Sequence, residues 1–169
     1  MERLGMDFYH RPCVEVARDL VGKILVHNGK SLRITETEAY CGESDTACHA
    51  SRGRTKRTEV MYREAGTVYI YLCYGIHWLL NIVTGDVDDP QAVLIRACVD
   101  AEGPGRLTKL LGINGQLNRQ SVLRSDLWIE DDGYVCDVVT DKRVGIAYAS
   151  QEDQDRPWRF KMKRKKETT

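Results

Sequence analysis

Between Gly66 and Ala97 the chain reads "GTVYIYLCYG", "IHWLLNIVTG" and "AVLIRA", with only the turn-forming "DVDDPQ" breaking the last two apart. Runs of valine, isoleucine and tyrosine punctuated by glycine, aspartate and proline read as strands. Upstream, "GKILVH" (22–27) and "SLRITETEAY" (31–40) flank "NGK", a hairpin signal. Downstream, "LWIE" (127–130), "VCDVVT" (135–140) and "RVGIAY" (143–148) are three further short strand patterns. Helical signals are few. Pro12 can open a helix through Leu20, with Val14, Ala17, Leu20 and Val21 on one stripe, and "GPGRLTKLLGI" (103–113) opens a second. The pattern is α+β, with mostly antiparallel strands and a few helices. A length of 169 residues suits a single domain.

Composition narrows the functional classes. No apolar run nears the ~20 residues of a membrane span, and "MERLGMDFYHRPCVEVARDL" lacks the apolar core of a secretion signal. A cytoplasmic location is expected. The six cysteines, Cys13, Cys41, Cys48, Cys73, Cys98 and Cys136, form no CxxC pair, and free thiols are expected rather than disulfides. A metal site built on Cys41, Cys48 and His49 is set aside, because the spacing is loose and no second ligand cluster exists. The formal net charge is zero, yet "SRGRTKRTEVMYR" (51–63) and "RPWRFKMKRKK" (156–166) are basic and "DLWIEDDGYVCD" (126–137) is acidic. A local basic surface remains compatible with nucleic acid. The end of the basic stretch, residues 161–169, also reads as a solvated terminal tail after a domain of residues 1–160.

Side chains alternate along a strand, so Glu36, Glu38 and Tyr40 share one face of residues 34–40. The two carboxylates then stand roughly 7 Å apart. Ile34 is expected on the same face, which argues against a purely solvent-facing pair. A partly buried glutamate is a candidate general base. In residues 67–72, Val68, Ile70 and Leu72 should face the core while Tyr69 and Tyr71 point the other way, with Tyr74 just beyond. Aromatic rings beside a carboxylate and a basic surface suit a flipped nucleobase or a sugar. Arg96 ends a buried strand and needs a partner, for which Glu36 and Glu38 are available. Asn81 interrupts an apolar run and must be hydrogen-bonded if buried.

Taken in order, "ETEAY" (36–40), "DTACHASRGRTKRTEVMY" (45–62), "GTVYIYLCYGIHWLLNIV" (66–83), "PQAVLIRA" (90–97), "GPGRLTKLLGI" (103–113) and "RVGIAYA…PWRF" (143–160) closely resemble the alkyladenine (3-methyladenine) DNA glycosylase family. The resemblance implies a single-domain fold around a curved antiparallel sheet, acting on duplex DNA that contains damaged purines. It implies hydrolysis of the purine N-glycosidic bond with no cofactor and no metal. By the same resemblance Glu38 matches the water-activating base. Arg96 and the backbone carbonyl of Val144 match groups that hold the water. Tyr40, His49 and Tyr71 match the walls of the base pocket, and Asn81 matches the residue that crowds the guanine 2-amino group. Tyr74 matches the wedge inserted into the duplex, and Arg57, Met61 and His77 fall on the stretches that approach DNA. Glu36 is expected in an ion-pair or scaffold role. With no lysine in the matched site, the enzyme should cut the base and leave the strand intact. A monomer is expected. Two departures stand out: only "CVDAE" (98–102) separates "LIRA" from "GPGRL", where the family carries a longer segment, and a basic tail replaces the family's final strand. The competing readings are a glycosidase using Glu36 and Glu38 on a nucleoside or sugar, and a non-catalytic nucleic-acid-binding module.

Overall fold

The computed structural model describes residues 2–164. In chain order the elements are β1 (Glu2–Arg3), α1 (Met6–Tyr9), α2 (Cys13–Leu20), β2 (Ile24–His27), β3 (Lys30–Cys41), β4 (Val68–Cys73), β5 (His77–Thr84), β6 (Gln91–Cys98), β7 (Ala101–Glu102), α3 (Pro104–Leu111), β8 (Trp128–Asp131), β9 (Val138–Asp141), α4 (Gln151–Asp155) and β10 (Arg159–Met162). Short 3-10 turns at His49–Arg52, Thr58–Tyr62 and Gly115–Leu117 fill the connections. The architecture is α+β: one curled antiparallel sheet with a few short helices.

β3 is the spine of the sheet. Its first half pairs with β2 through a tight turn in which Asn28 (φ 54°) and Gly29 (φ 70°) adopt the left-handed conformation a two-residue hairpin requires. Its second half is sandwiched between β6 and β10. The order then continues β6-β5-β4 on one side, and β9 adds to β10 on the other. β3 and β6 do not run in simple register. Ile34 faces Cys98, Glu36 faces Ala97 and Thr37 faces Ile95, so Thr35 on one strand and Arg96 on the other lack a register partner. These irregularities rotate Ile34 into the core beside Ala39. Ile34 is therefore on the face opposite Glu38, contrary to strict alternation. The shared face of Glu36 and Glu38 survives, because the register with Lys161 and Arg159 is regular there.

The core lies between one face of the sheet and α2 and α3. α2 buries Cys13, Val16, Ala17 and Leu20; of the expected stripe Ala17, Leu20 and Val21 are buried, while Val14 is only partly so. Thr37 Oγ1 donates to the Ala17 carbonyl at 2.6 Å, which ties α2 to β3. The same packing brings Cys13 to 6.2 Å from Cys41 (Cα–Cα), and the two are disulfide-bonded. This corrects the expectation of six free thiols, which holds for Cys48, Cys73, Cys98 and Cys136. A 28-residue separation carries no motif, and only the docking of helix on strand brings the pair within reach.

Three further expectations change. "RVGIAY" is not a strand: residues 143–148 form turns, because Arg143 and Ile146 are drawn inward while Val144 and Tyr148 stay out. Leu72 is 42% exposed, since β4 outruns the core at its end. The basic C-terminal stretch forms β10, so Arg159 to Met162 belong to the sheet. Residues 165–169 of that stretch lie outside the described residues.

α3 lies against β5, with Thr108 Oγ1 donating to the Trp78 carbonyl at 2.8 Å. Gly105 permits the approach, since a Cβ there would stand 2.8 Å from His77 Cγ and 2.9 Å from its Cβ. Gly105→Ala is expected to destabilise the protein by about 1–3 kcal/mol through overpacking. Urea unfolding checks this, and wild-type stability would show that α3 can slide.

Candidate functional site

Alternation along β4 sends Val68 and Ile70 into the core and turns Tyr69 and Tyr71 to the opposite side. There they meet His49 from the loop after β3. The His49 and Tyr71 rings cross at 4.5 Å between centroids, Tyr69 and Tyr71 lie at 5.5 Å, and the Tyr69 hydroxyl and His49 Nδ1 are 2.9 Å apart. Tyr40, Ala47, Cys48, Met61, Asn81, Ala92 and Tyr148 complete a pocket. Its walls are mostly aromatic rings, which offer flat faces to a heterocycle. Tyr40, His49, Tyr71 and Asn81 are thus brought together. Met61, expected on the DNA-facing surface, is instead a buried part of the pocket wall, because its 3-10 turn points Val60 and Met61 inward.

Burial holds His49 down at about pH 4, with the Arg57 charge adding to the effect, so its ring is neutral at physiological pH. The Arg57 guanidinium lies 5.2 Å from the Tyr71 ring centre and is exposed on the rim. Asn81 is buried, and its amide nitrogen donates to the Tyr69 carbonyl at 3.2 Å. It therefore also links β5 to β4.

Glu38 lies behind Tyr40 and is wholly buried. The Tyr40 hydroxyl donates to Oε1 at 2.8 Å, and the Arg96 guanidinium stands 3.6 Å from the same oxygen. The backbone N–H of Val144 donates to Oε2 at 2.7 Å. Arg96 is thus the partner of Glu38, as one of the two expected pairings had it. Val144 meets the carboxylate through its N–H. Burial raises the Glu38 pKa above the ordinary carboxylate range, and Arg96, the Val144 N–H and Tyr40 oppose that rise. The hydroxyl of Tyr40 is itself pushed far up by burial and by Glu38, so it remains a donor. Glu36 points elsewhere. It lines a separate cleft with Arg96, Arg159 and Arg164 and lies 3.7 Å from Arg159.

At the tip of the β4–β5 hairpin Tyr74 has φ 53° and is 92% exposed. Ile76 beside it is 72% exposed, so the tip is an apolar prong. His77 is exposed at the start of β5.

Several site residues gave no sequence signal. Tyr148 lines the pocket mouth and donates to the Ala47 carbonyl at 2.7 Å. Asp45 and Arg143 form a wholly buried, two-pronged ion pair with contacts of 2.6 and 3.0 Å. Arg143 also bonds the carbonyls of Ala39 and Asp153 and lies over the Tyr40 and Trp158 rings. Asp45 further accepts from the backbone of Cys41 and Ala47. An isolated aspartate and an isolated arginine 98 positions apart form no readable motif. Tyr69 was visible by alternation alone, as the neighbour of Tyr71.

The chain matches the sequence model of the family described as methylpurine-DNA glycosylase in two stretches, residues 7–100 and 99–166. Among curated proteins it is 44% identical to one from Methanocella arvoryzae over 185 aligned positions, covering 95% of this chain and 92% of the relative. It is 41% identical over 193 positions to one from Desulfitobacterium hafniense, covering 95% of each. It is 40% identical over 164 positions to one from Legionella pneumophila, covering 89% of this chain and 90% of the relative. Each carries the name "Putative 3-methyladenine DNA glycosylase".

Breaking the Asp45–Arg143 pair should be severe. Asp45→Asn leaves the guanidinium buried without its counter-charge and is expected to lower the unfolding free energy by about 3–5 kcal/mol. Equilibrium urea denaturation reads this directly. A loss below about 1 kcal/mol, the scale of a surface pair, would show that the loop is held by other contacts.

Proposed function

The chain belongs to the methylpurine-DNA glycosylase family, and on that footing we propose that it hydrolyses the N-glycosidic bond of alkylated and deaminated purines, 3-methyladenine, 7-methylguanine and hypoxanthine, after flipping them out of duplex DNA. The observation that carries this reading is the placement of Glu38: a buried carboxylate held by two hydrogen-bond donors and faced by the Arg96 guanidinium, immediately behind an aromatic pocket.

A base inside a duplex is out of reach, and extruding it requires a few kcal/mol of unstacking. Tyr74, at the apolar prong, fills the gap left behind. The flipped purine stacks among Tyr40, Tyr71 and His49. Alkylated purines carry positive charge, which aromatic faces attract, and a neutral His49 does not repel it. As the glycosidic bond breaks, positive charge grows on the sugar. Ionised Glu38 stabilises it and takes a proton from the attacking water. A carboxylate offers about four lone-pair sites, so the bonds from Tyr40 and Val144 leave capacity for that water. Arg57 on the rim and His77 beside the prong face the DNA. The sugar-glycosidase reading needs Glu36 and Glu38 flanking one substrate, and the Glu36 carboxylate is turned to Arg159, 3.7 Å away.

Glu38→Gln is expected to slow base release at least ~10²-fold while retaining affinity for lesion-bearing duplex. Single-turnover release from DNA with one hypoxanthine tests it, and a near-wild-type rate sinks the assignment. Asn81→Ser should raise the rate on guanine relative to hypoxanthine, because crowding at the 2-amino group is relieved. The same change removes the link to Tyr69, so a thermal melt accompanies the rate ratio. An unchanged ratio in a folded variant leaves Asn81 as a tie between strands.

A further inference from the structure

The sequence places Arg159 in a basic stretch that suits contact with DNA phosphates, but its side chain is committed elsewhere. Arg159 is the cross-strand partner of Glu38, and Phe160 beside it points into the core. Opposed residues of an antiparallel pair share a face, so Arg159 stands on the Glu38 side of the sheet. Its Nε donates to the Lys142 carbonyl at 2.7 Å, Nη2 donates to Asp141 at 3.0 Å, and Nη1 is 3.7 Å from Glu36. Lys142 is two residues before Val144, whose N–H holds Glu38 Oε2. Arg159 also lines the same cleft as Arg96 and Val144.

We propose that Arg159 is a positioning residue for Glu38: its guanidinium fixes the segment that carries the Val144 donor and sets a second cation against the carboxylate from the strand opposite Arg96. This rests on the reading of Glu38 as the base. The groups around Glu38 are Arg96 on β6, Arg159 on β10, Tyr40 on its own strand, and the Val144 N–H with Arg143 in the loop after β9. Glu36 and Asp141 bear on it only through Arg159. The field of Arg159 lowers the Glu38 pKa against the rise caused by burial. Because the base acts ionised, losing that cation should shift the acid limb of activity to higher pH.

The test compares Arg159→Met, Arg159→Lys and Glu38→Gln with wild type. It reads single-turnover release of hypoxanthine from duplex DNA between pH 5 and 9, together with Kd for the lesion duplex and a thermal melt. For Arg159→Met the maximal rate should fall about ten- to a hundredfold and the acid midpoint move to higher pH, with Kd little changed. Arg159→Lys should restore the midpoint and leave the maximal rate low, because an ammonium cannot reproduce the planar fork. A folded Arg159→Met with wild-type rate and midpoint overturns the proposal. So does a defect confined to Kd, which would mark a DNA contact. If the methionine variant does not fold, a wild-type maximal rate in Arg159→Lys overturns it equally. An active Glu38→Gln sinks the base assignment and this inference together, whereas an inactive Glu38→Gln beside an unaffected Arg159→Met sinks the inference alone.

Discussion

The buried pair of Asp45 and Arg143 is the contact on which the site depends. Asp45 caps the end of β3 through the Cys41 N–H and holds the next loop through Ala47. Arg143 grips β3 at Ala39, reaches α4 at Asp153 and packs on Tyr40. One ion pair thereby sets the position of the pocket wall, the loop leading to His49, and the segment whose N–H meets Glu38. Buried pairs are poor sources of net stability, because desolvation offsets the attraction. Here the attraction selects one arrangement of two loops that share no regular secondary structure.

Much of this was legible in the sequence where regularity carries information. The period-two pattern of β4 separates core residues from pocket tyrosines, and "NG" marks the β2–β3 turn. The sharing of a face by Glu36 and Glu38 also follows from alternation. Alternation fails at Ile34, because a register irregularity between β3 and β6 is a property of the pair, which neither strand alone reveals. The stretch 143–148 carries strand-forming residues, yet the inward pull on Arg143 overrides propensity. The charged end of the chain looked like a solvated tail because charge is read one residue at a time. Arg159 and Lys161 are in fact answered by Asp141, through the pairing of β10 with β9.

The electrostatics of the site are layered. The pocket itself is lined by rings, small side chains and one amide, with His49 held neutral. Charge begins one layer deeper, at Glu38 and Arg96, and is supplemented from the outside by Arg57. A cationic heterocycle thus meets polarisable faces before it meets a formal charge, while the carboxylate remains out of reach of bulk solvent.

The supports of Glu38 come from four places in the chain: Tyr40, Arg96, Val144 and the β10 strand opposite it. Contacts of such wide sequence separation form late, after loop closure over most of the polypeptide. During synthesis the first hundred residues can emerge with Tyr40, Tyr69 and Tyr71 already translated, but without Tyr148, the Val144 donor or β10. A chain that has not yet reached Val144 therefore lacks two of the four supports of Glu38, and the carboxylate is set in place only when the last quarter of the polypeptide folds back onto β3.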